Sequence, residues 1–149
     1  MARFRFRLQT LRRLREIHRD EQRGRLATAY EAERILAEQR ESLAAEGVAL
    51  TQAQRQLMQH GSLDVNQLLA AQLYQLALEA QSRTLAEQAA KLAEEVERRR
   101  QTLVEADREV RVLDKLEERQ RLQHRAQAQR AETKVLDEVG SLRWEAPEL

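Results

Sequence analysis

Residues 57–69, LMQHGSLDVNQLL, contain the clearest turn signal in the chain. Gly61 interrupts helical sequence, and Asp64 stands just before an apolar run, where its carboxylate can cap a new helix. We therefore expect one helix over about residues 3–59, a turn over about 60–63 and a second helix over about 64–139. Because the connection is so short, the helices must run antiparallel, so that residue i faces about residue 122 minus i.

The composition favours long helices over a compact core. The hydrophobic residues include 22 Ala and 23 Leu but only eight Val and two Ile, aromatic residues make up 3% of the chain, and 34% of it is charged. The single proline, Pro147, lies three residues from the end, so nothing before it forces a helix to break. Cysteine is absent. The sequence contains no run of about 18 apolar residues, so it predicts no membrane span.

Both helices carry apolar residues at coiled-coil spacing. In the first, the heptad positions are Phe4, Leu8, Leu11, Arg15, His18, Gln22, Arg25, Ala29, Ala32, Leu36, Gln39, Leu43, Glu46, Leu50, Ala53 and Leu57. In the second, they are Leu78, Ser82, Leu85, Ala89, Leu92, Val96, Arg99, Leu103, Ala106, Val110 and Leu113. The pattern predicts that these two lines of residues meet in one seam.

The second helix is too long for its partner. Residues from about 120 to 139 have no counterpart in the first helix, so we expect this end to project. We expect Gly140 to be the C-cap of the second helix and residues 140–149 to form a flexible tail. The predicted fold is all-α, a long antiparallel two-helix coiled coil with a projecting C-terminal helix, and the predicted organisation is a single domain over residues 1–149.

The sequence contains no motif that indicates catalysis. The chain lacks the glycine-rich loop, followed by Lys and Ser or Thr, that binds nucleotide phosphates. His18, His60 and His124 are scattered, with no spacing that suits a metal site. Ser62 lies near His60, but a role in the turn explains it better than nucleophilic catalysis. We therefore expect no enzyme activity, no metal and no cofactor.

The N-terminal stretch is strongly basic. Residues 1–25 contain nine arginines and three acidic residues, a net charge of +6, whereas the other 124 residues have a net charge of −5. A solvated helix end, a targeting presequence, a nucleic-acid surface and an interfacial membrane helix could each be basic. However, the heptads continue without a cleavage-like break, and Phe6, Leu14 and Ile17 form a second narrow apolar stripe. Two stripes favour a helix packed between protein neighbours.

Four segments carry a family resemblance. They are FRFRLQTLRRLREI at residues 4–17, HGSLDVNQLLAAQLYQLALEAQ at 60–81, LVEADREVRVLDKLEERQR at 103–121 and ETKVLDEVGSLR at 132–143. In this order they resemble the FliJ family of bacterial flagellar type III export. The resemblance rests on the four segments taken together, since each segment alone is typical of many coiled coils.

The resemblance implies a central stalk for the hexameric flagellar export ATPase. Such a stalk promotes ring assembly and ATP hydrolysis and links the ATPase to the export gate membrane protein and the export chaperones. The expected location is the cytoplasm, at the inner face of the cell membrane at the flagellar base. Membrane association would run through partners only, and no nucleic acid is expected. The alternatives are an injectisome stalk homologue and a generic cytoplasmic coiled-coil adaptor that forms homodimers.

Two sets of residues are the candidate contacts for these partners. The predicted ATPase-docking residues are Arg3, Phe4, Arg5, Phe6, Arg7, Leu8, Leu11, Arg12, Arg13, Leu136, Asp137 and Glu138. The predicted export-gate residues are Gln39, Leu43, Leu73, Ala77 and Ala80.

Overall fold

The computed structural model describes residues 3–61 and 64–144. It contains two helices, α1 over Gln9–Gln59 and α2 over Val65–Trp144, of 51 and 80 residues. The helices pack against each other, and the described residues contain no strand. The all-α hairpin predicted from the sequence is confirmed.

The turn between the helices uses the residues that the sequence suggested. Gly61 follows the end of α1 with a backbone φ of 72°, a left-handed conformation that favours glycine. On the far side, the Asn66 N–H donates to Asp64 Oδ1 at 3.0 Å, and the Leu68 N–H donates to the Asp64 carbonyl at 3.1 Å. Asp64 is therefore the N-cap of α2. Ser62 and Leu63 lie outside the described residues.

Contacts along the chain divide it into two compact units. One unit comprises Glu21–Leu103, and the other comprises Met1–Asp20 with Val104–Leu149. In the first unit, Leu26, Ala29 and Val96 form a buried cluster against which Leu103 packs. The pairing of Leu26 with Val96 confirms the expected antiparallel register.

The second unit is built on the other part of the same helix pair. Its buried apolar side chains are Ala106, Val110 and Leu113 on α2, together with Phe6 before α1. On α1, Arg15 donates to Glu109 at 2.9 Å. A long charged side chain at this position can cover the apolar seam with its methylenes while its guanidinium remains at the edge.

The seam on α1 agrees only in part with the expected one. The expected positions on α1 that are buried or half-buried are Gln22, Ala29, Ala32, Leu36, Leu43 and Leu50. At two positions between them the more buried residue comes one residue later, namely Leu26 instead of Arg25 and Gly47 instead of Glu46. At these two positions, burying an apolar or small residue avoids the desolvation of a charged one.

Both outer helix ends differ from the prediction. The first helix begins at Gln9 rather than near residue 3, because the preceding segment has a different conformation that is described below. The second helix passes through Gly140 and continues to Trp144. A glycine inside a helix costs only about 1 kcal/mol, and Arg143 in the last turn interacts favourably with the helix dipole. Residues 145–149 of the predicted tail lie outside the described residues.

The last part of α2 lacks buried side chains, since every residue over 129–144 is exposed. This agrees with the predicted C-terminal projection. Across residues 3–61 and 64–144, neither helix has a stretch that is long and apolar enough to cross a membrane. The single-domain organisation stays a prediction.

Candidate functional site

The segment before α1 lies on α2 in a non-helical conformation. Residues 3–6 have no regular secondary structure, and residues 7–8 form a turn. Phe6 is 7% exposed, whereas the flanking Arg5 and Arg7 are exposed. This alternation is typical of an extended chain with one face on a surface, because successive side chains point to opposite sides. We call residues 3–8 the N-terminal segment.

Phe4 fixes the position of this segment on α2. Its ring centroid lies 5.7 Å from that of His124, with the planes inclined by 58°. The Arg121 guanidinium carbon lies 5.7 Å from the same ring centroid, within the range of a cation–π contact. Aromatic and cation–π contacts of this kind stabilise by about 0.5–1.5 kcal/mol beyond the area that they bury. Phe4 therefore anchors the N-terminal segment next to two polar side chains of α2.

Glu117 connects this anchor to α1. Its Oε2 accepts a hydrogen bond from Arg12 Nη1, and its Oε1 accepts one from Arg121 Nη2 at 3.0 Å. The Glu117 side chain is only 14% exposed. Charged hydrogen bonds are stronger than neutral ones, and this carboxylate uses both oxygens on guanidinium groups. Glu117 thus joins α1, α2 and the residue that covers Phe4.

Arg12 is the centre of a larger charge cluster. Its Nε lies 2.9 Å from Asp114 Oδ1 and 3.3 Å from Glu16 Oε1. The Nε hydrogen does not point along the short contact, so Nε and Asp114 Oδ1 have no hydrogen bond among the described residues. The contact with Asp114 is therefore a charge interaction without hydrogen-bond geometry, and Glu117 provides the directional partner.

The structure places the predicted ATPase-docking residues in three groups. Phe4 and Phe6 face α2, and Arg12 belongs to the charge cluster. The residues that remain at the surface near the start of the chain are Arg3, Arg5, Arg7, Leu8, Leu11 and Arg13. The basic side chains of the N-terminal segment are thus more exposed than its aromatic ones.

The C-terminal part of the predicted docking set lies elsewhere on α2. Leu136, Asp137 and Glu138 are exposed and follow His124 by at least three helical turns, about 18 Å along the axis. The described contacts do not bring them to the N-terminal segment. Their docking role stays a prediction.

The predicted export-gate residues are unequal in exposure. Gln39, Leu73, Ala77 and Ala80 are exposed, whereas Leu43 is 9% exposed and belongs to the seam. Leu43 therefore holds the hairpin together. The gate-contact role assigned to the five residues stays a prediction.

Charge pairs on the helix surfaces shift a few pKa values. Hydrogen bonds from Arg98, and next from Arg99, hold the pKa of Glu95 below its usual value, and a hydrogen bond from Arg34 does the same for Glu31. The Tyr74 hydroxyl donates to Glu46, and this bond raises the pKa of Tyr74. The described residues include no group of three or more His, Asp or Glu placed to hold a metal ion. These shifts come from ion pairs and one cross-helix hydrogen bond, which are structural contacts.

Three residues of the site were absent from the sequence-based set, namely Glu117, Arg121 and His124. The strict alternation of RFRFRL over residues 3–8 is the signal that could have indicated an extended segment. An extended chain rises more than twice as far per residue as a helix, so it reaches further along α2. That reach brings Phe4 to Arg121 and His124.

Comparison with known proteins identifies one family. The model of the family described as the flagellar FliJ protein matches residues 4–148, which is nearly the whole chain. No curated protein gives a significant match. No solved structure gives one either.

Proposed function

The chain belongs to the FliJ family, whose members are coiled-coil proteins associated with flagellar export, and we propose that it is the central stalk of the hexameric export ATPase. In this role it promotes ring assembly and ATP hydrolysis without being an enzyme itself. A protein that binds the closed ring more tightly than the open one shifts the equilibrium by its difference in affinity.

The observation that carries the proposal, beside the family match, is the organisation of the N-terminal segment. Phe4 and Phe6 hold the segment on α2, and Glu117 ties α2 to α1 through Arg12. The end of the hairpin is therefore built from three pieces of chain. A preorganised end loses less conformational entropy on docking than a frayed helix would.

The basic residues near the N-terminal segment also support the proposal that this end docks on the ATPase. Phe4, which alternates with the exposed Arg3 and Arg5, contacts Arg121 and His124. These two residues belong to a stretch of α2, residues 119–134, with five basic side chains and one acidic one. Such a surface speeds association with an acidic partner more than it raises affinity. Leu136, Asp137 and Glu138 would contact the ATPase further along α2.

The turn-proximal half is proposed to face the export gate membrane protein and the export chaperones. Gln39, Leu73, Ala77 and Ala80 are exposed and available for contact, and Leu43 contributes by fixing the hairpin beneath them. The protein would then lie in the cytoplasm at the inner face of the membrane, at the flagellar base. Its membrane association would run through these partners only.

Association kinetics with the cognate export ATPase test the docking end. Arg5→Glu with Arg7→Glu should slow association at low salt, and the difference from the wild type should shrink at physiological ionic strength, where charges are screened beyond about 8 Å. Arg40→Glu with Arg55→Glu is the matched control, since both arginines are exposed on the other unit. Equal association rates for the two double variants would count against docking by this end.

A self-associating adaptor is the second candidate, favoured by one observation. Residues 65–78 carry no charge, and Val65, Leu69, Leu73 and Leu76 are exposed along them. This apolar surface could be covered by a second copy of the chain. Sedimentation equilibrium decides between the candidates. A wild-type dimer that is weakened in the double variant Leu69→Gln, Leu76→Gln would support the adaptor. The injectisome stalk alternative differs in its ATPase partner, so binding to both ATPases should be compared.

A further inference from the structure

We propose that the exposed arginines of the N-terminal segment, Arg3, Arg5 and Arg7, form a binding site for an extended acidic segment of a partner protein, with Asp or Glu at alternate positions. The proposal rests on the function proposed above, because it names the chemistry that the docking end meets. It differs from general charge steering in requiring a particular spacing of acidic side chains.

Spacing is the first argument. Arg3, Arg5 and Arg7 are exposed and alternate along the chain with Phe4 and Phe6, which are more buried. In an extended chain, alternate side chains on one side are about 6.6–6.8 Å apart, a spacing that we expect for Arg3 and Arg5, whereas Arg7 lies in the turn that follows. A partner strand with carboxylates at every second residue has the same repeat, so each carboxylate can face one guanidinium.

Unused bonding capacity is the second argument. Arg3, Arg5 and Arg7 have no ion pair or hydrogen bond to the described residues, in contrast to Arg12 and Arg121, which share Glu117. In the backbone of residues 3–7, the Phe6 carbonyl accepts from the Gln9 N–H at 3.4 Å, and the other groups have no backbone partner among the described residues. An extended partner can therefore pair with the main chain while its carboxylates meet the arginines.

The aromatic side chains favour a peptide over a nucleic acid. Proteins that bind single strands without sequence preference stack bases on exposed aromatic rings. Here Phe6 is buried, and the Phe4 ring is engaged by His124 and Arg121. The segment thus offers charge and backbone groups but no free ring for a base.

The test measures binding of a fluorescent peptide of alternating Asp and Thr by anisotropy, using the full-length protein. The triple variant Arg3→Gln, Arg5→Gln, Arg7→Gln should bind the peptide about tenfold more weakly than the wild type at low salt, since three exposed charge pairs are lost. The matched control is Arg40→Gln, Arg55→Gln, Arg83→Gln, which removes the same charge from exposed sites on the other unit and should bind as the wild type does. Circular dichroism checks that both variants keep their helices.

Three results would overturn the inference: no binding of the acidic peptide by the wild type, equal weakening in both triple variants, or tighter binding of oligothymidylate than of the peptide. Stimulation of the export ATPase is measured on the same wild-type sample. Stimulation without peptide binding rejects this inference alone. Peptide binding without stimulation rejects the stalk proposal and leaves the acidic-segment site standing.

Discussion

The ring of Phe4 lies 5.7 Å from the ring of His124, centroid to centroid, so the start of the chain is packed against a late turn of α2. The segment that contains Phe4 is not helical, and it reaches further along α2 than a helix with the same number of residues could. Arg121 covers the same ring and is itself held by Glu117. The aromatic anchor and the charge cluster therefore depend on each other.

Replacing Glu117 should weaken this arrangement. In Glu117→Gln, Arg12 and Arg121 lose a shared carboxylate that is 14% exposed, and we expect a loss of about 1–2 kcal/mol in the free energy of unfolding. Hydrogen exchange should also become faster at the amides of Gln9 and Arg12, which donate to the carbonyls of Phe6 and Leu8. The control is Glu118→Gln, which removes the same charge from the exposed neighbouring position. Indistinguishable melting and exchange in the two variants would refute the role given to Glu117.

Two valines on α2 give a matched test of the seam. Val110 is 2% exposed and Val112 is 60% exposed. Val110→Ala should destabilise the protein by about 1–2 kcal/mol because buried methyl groups are lost, whereas Val112→Ala should change stability by less than about 0.5 kcal/mol. Any gain in helix propensity is the same for both changes. A seam on the other face of α2 would reverse the order of the two melting temperatures.

Two glycines should respond to alanine in opposite ways. Gly61 has a φ of 72°, so Gly61→Ala forces a left-handed conformation and should cost about 1–2 kcal/mol. Gly47 lies inside α1, where an added Cβ meets no atom within 4 Å, so Gly47→Ala should stabilise by roughly 0.5–1 kcal/mol. Thermal unfolding measures both. Stabilisation by Gly61→Ala would contradict the turn.

The sequence was sufficient to predict the hairpin because the decisive signals are local. Gly61 and Asp64 mark the turn, and a short turn between heptad repeats fixes which residues face each other, as Leu26 and Val96 show. The prediction that α2 ends near Gly140 was wrong, because the small cost of one glycine does not end a helix.

The candidate site was harder to predict because its contacts join distant parts of the chain. Treating residues 3–8 as helix placed Phe4 on a heptad line, where its partners would have lain closer to Asp114 than to His124. The non-helical conformation of this segment depends on packing against α2, which local propensity does not describe. Glu117 is one of many acidic residues in the sequence, and only its two arginine partners distinguish it.

A titration of Tyr74 tests the register near the turn. Its hydroxyl donates to Glu46 on the other helix, so its pKa in the folded protein lies above the usual value of 10. A raised pKa means that this contribution to stability is present below pH 10 and is lost as the pH rises through the folded pKa. Ultraviolet absorbance should follow Tyr74 alone in Tyr30→Phe. Adding Glu46→Gln should lower the pKa, and an unchanged titration would show that the two side chains do not meet.

The most direct test of the stalk proposal is the ATP turnover of the cognate export ATPase as this protein is added. We predict a saturable increase in turnover with the wild type. The triple variant Arg3→Gln, Arg5→Gln, Arg7→Gln should need a higher concentration for half of the maximal stimulation. The control variant Arg40→Gln, Arg55→Gln, Arg83→Gln should stimulate as the wild type does. Unchanged turnover, at concentrations of wild-type protein that saturate binding to the ATPase, would contradict the proposed role.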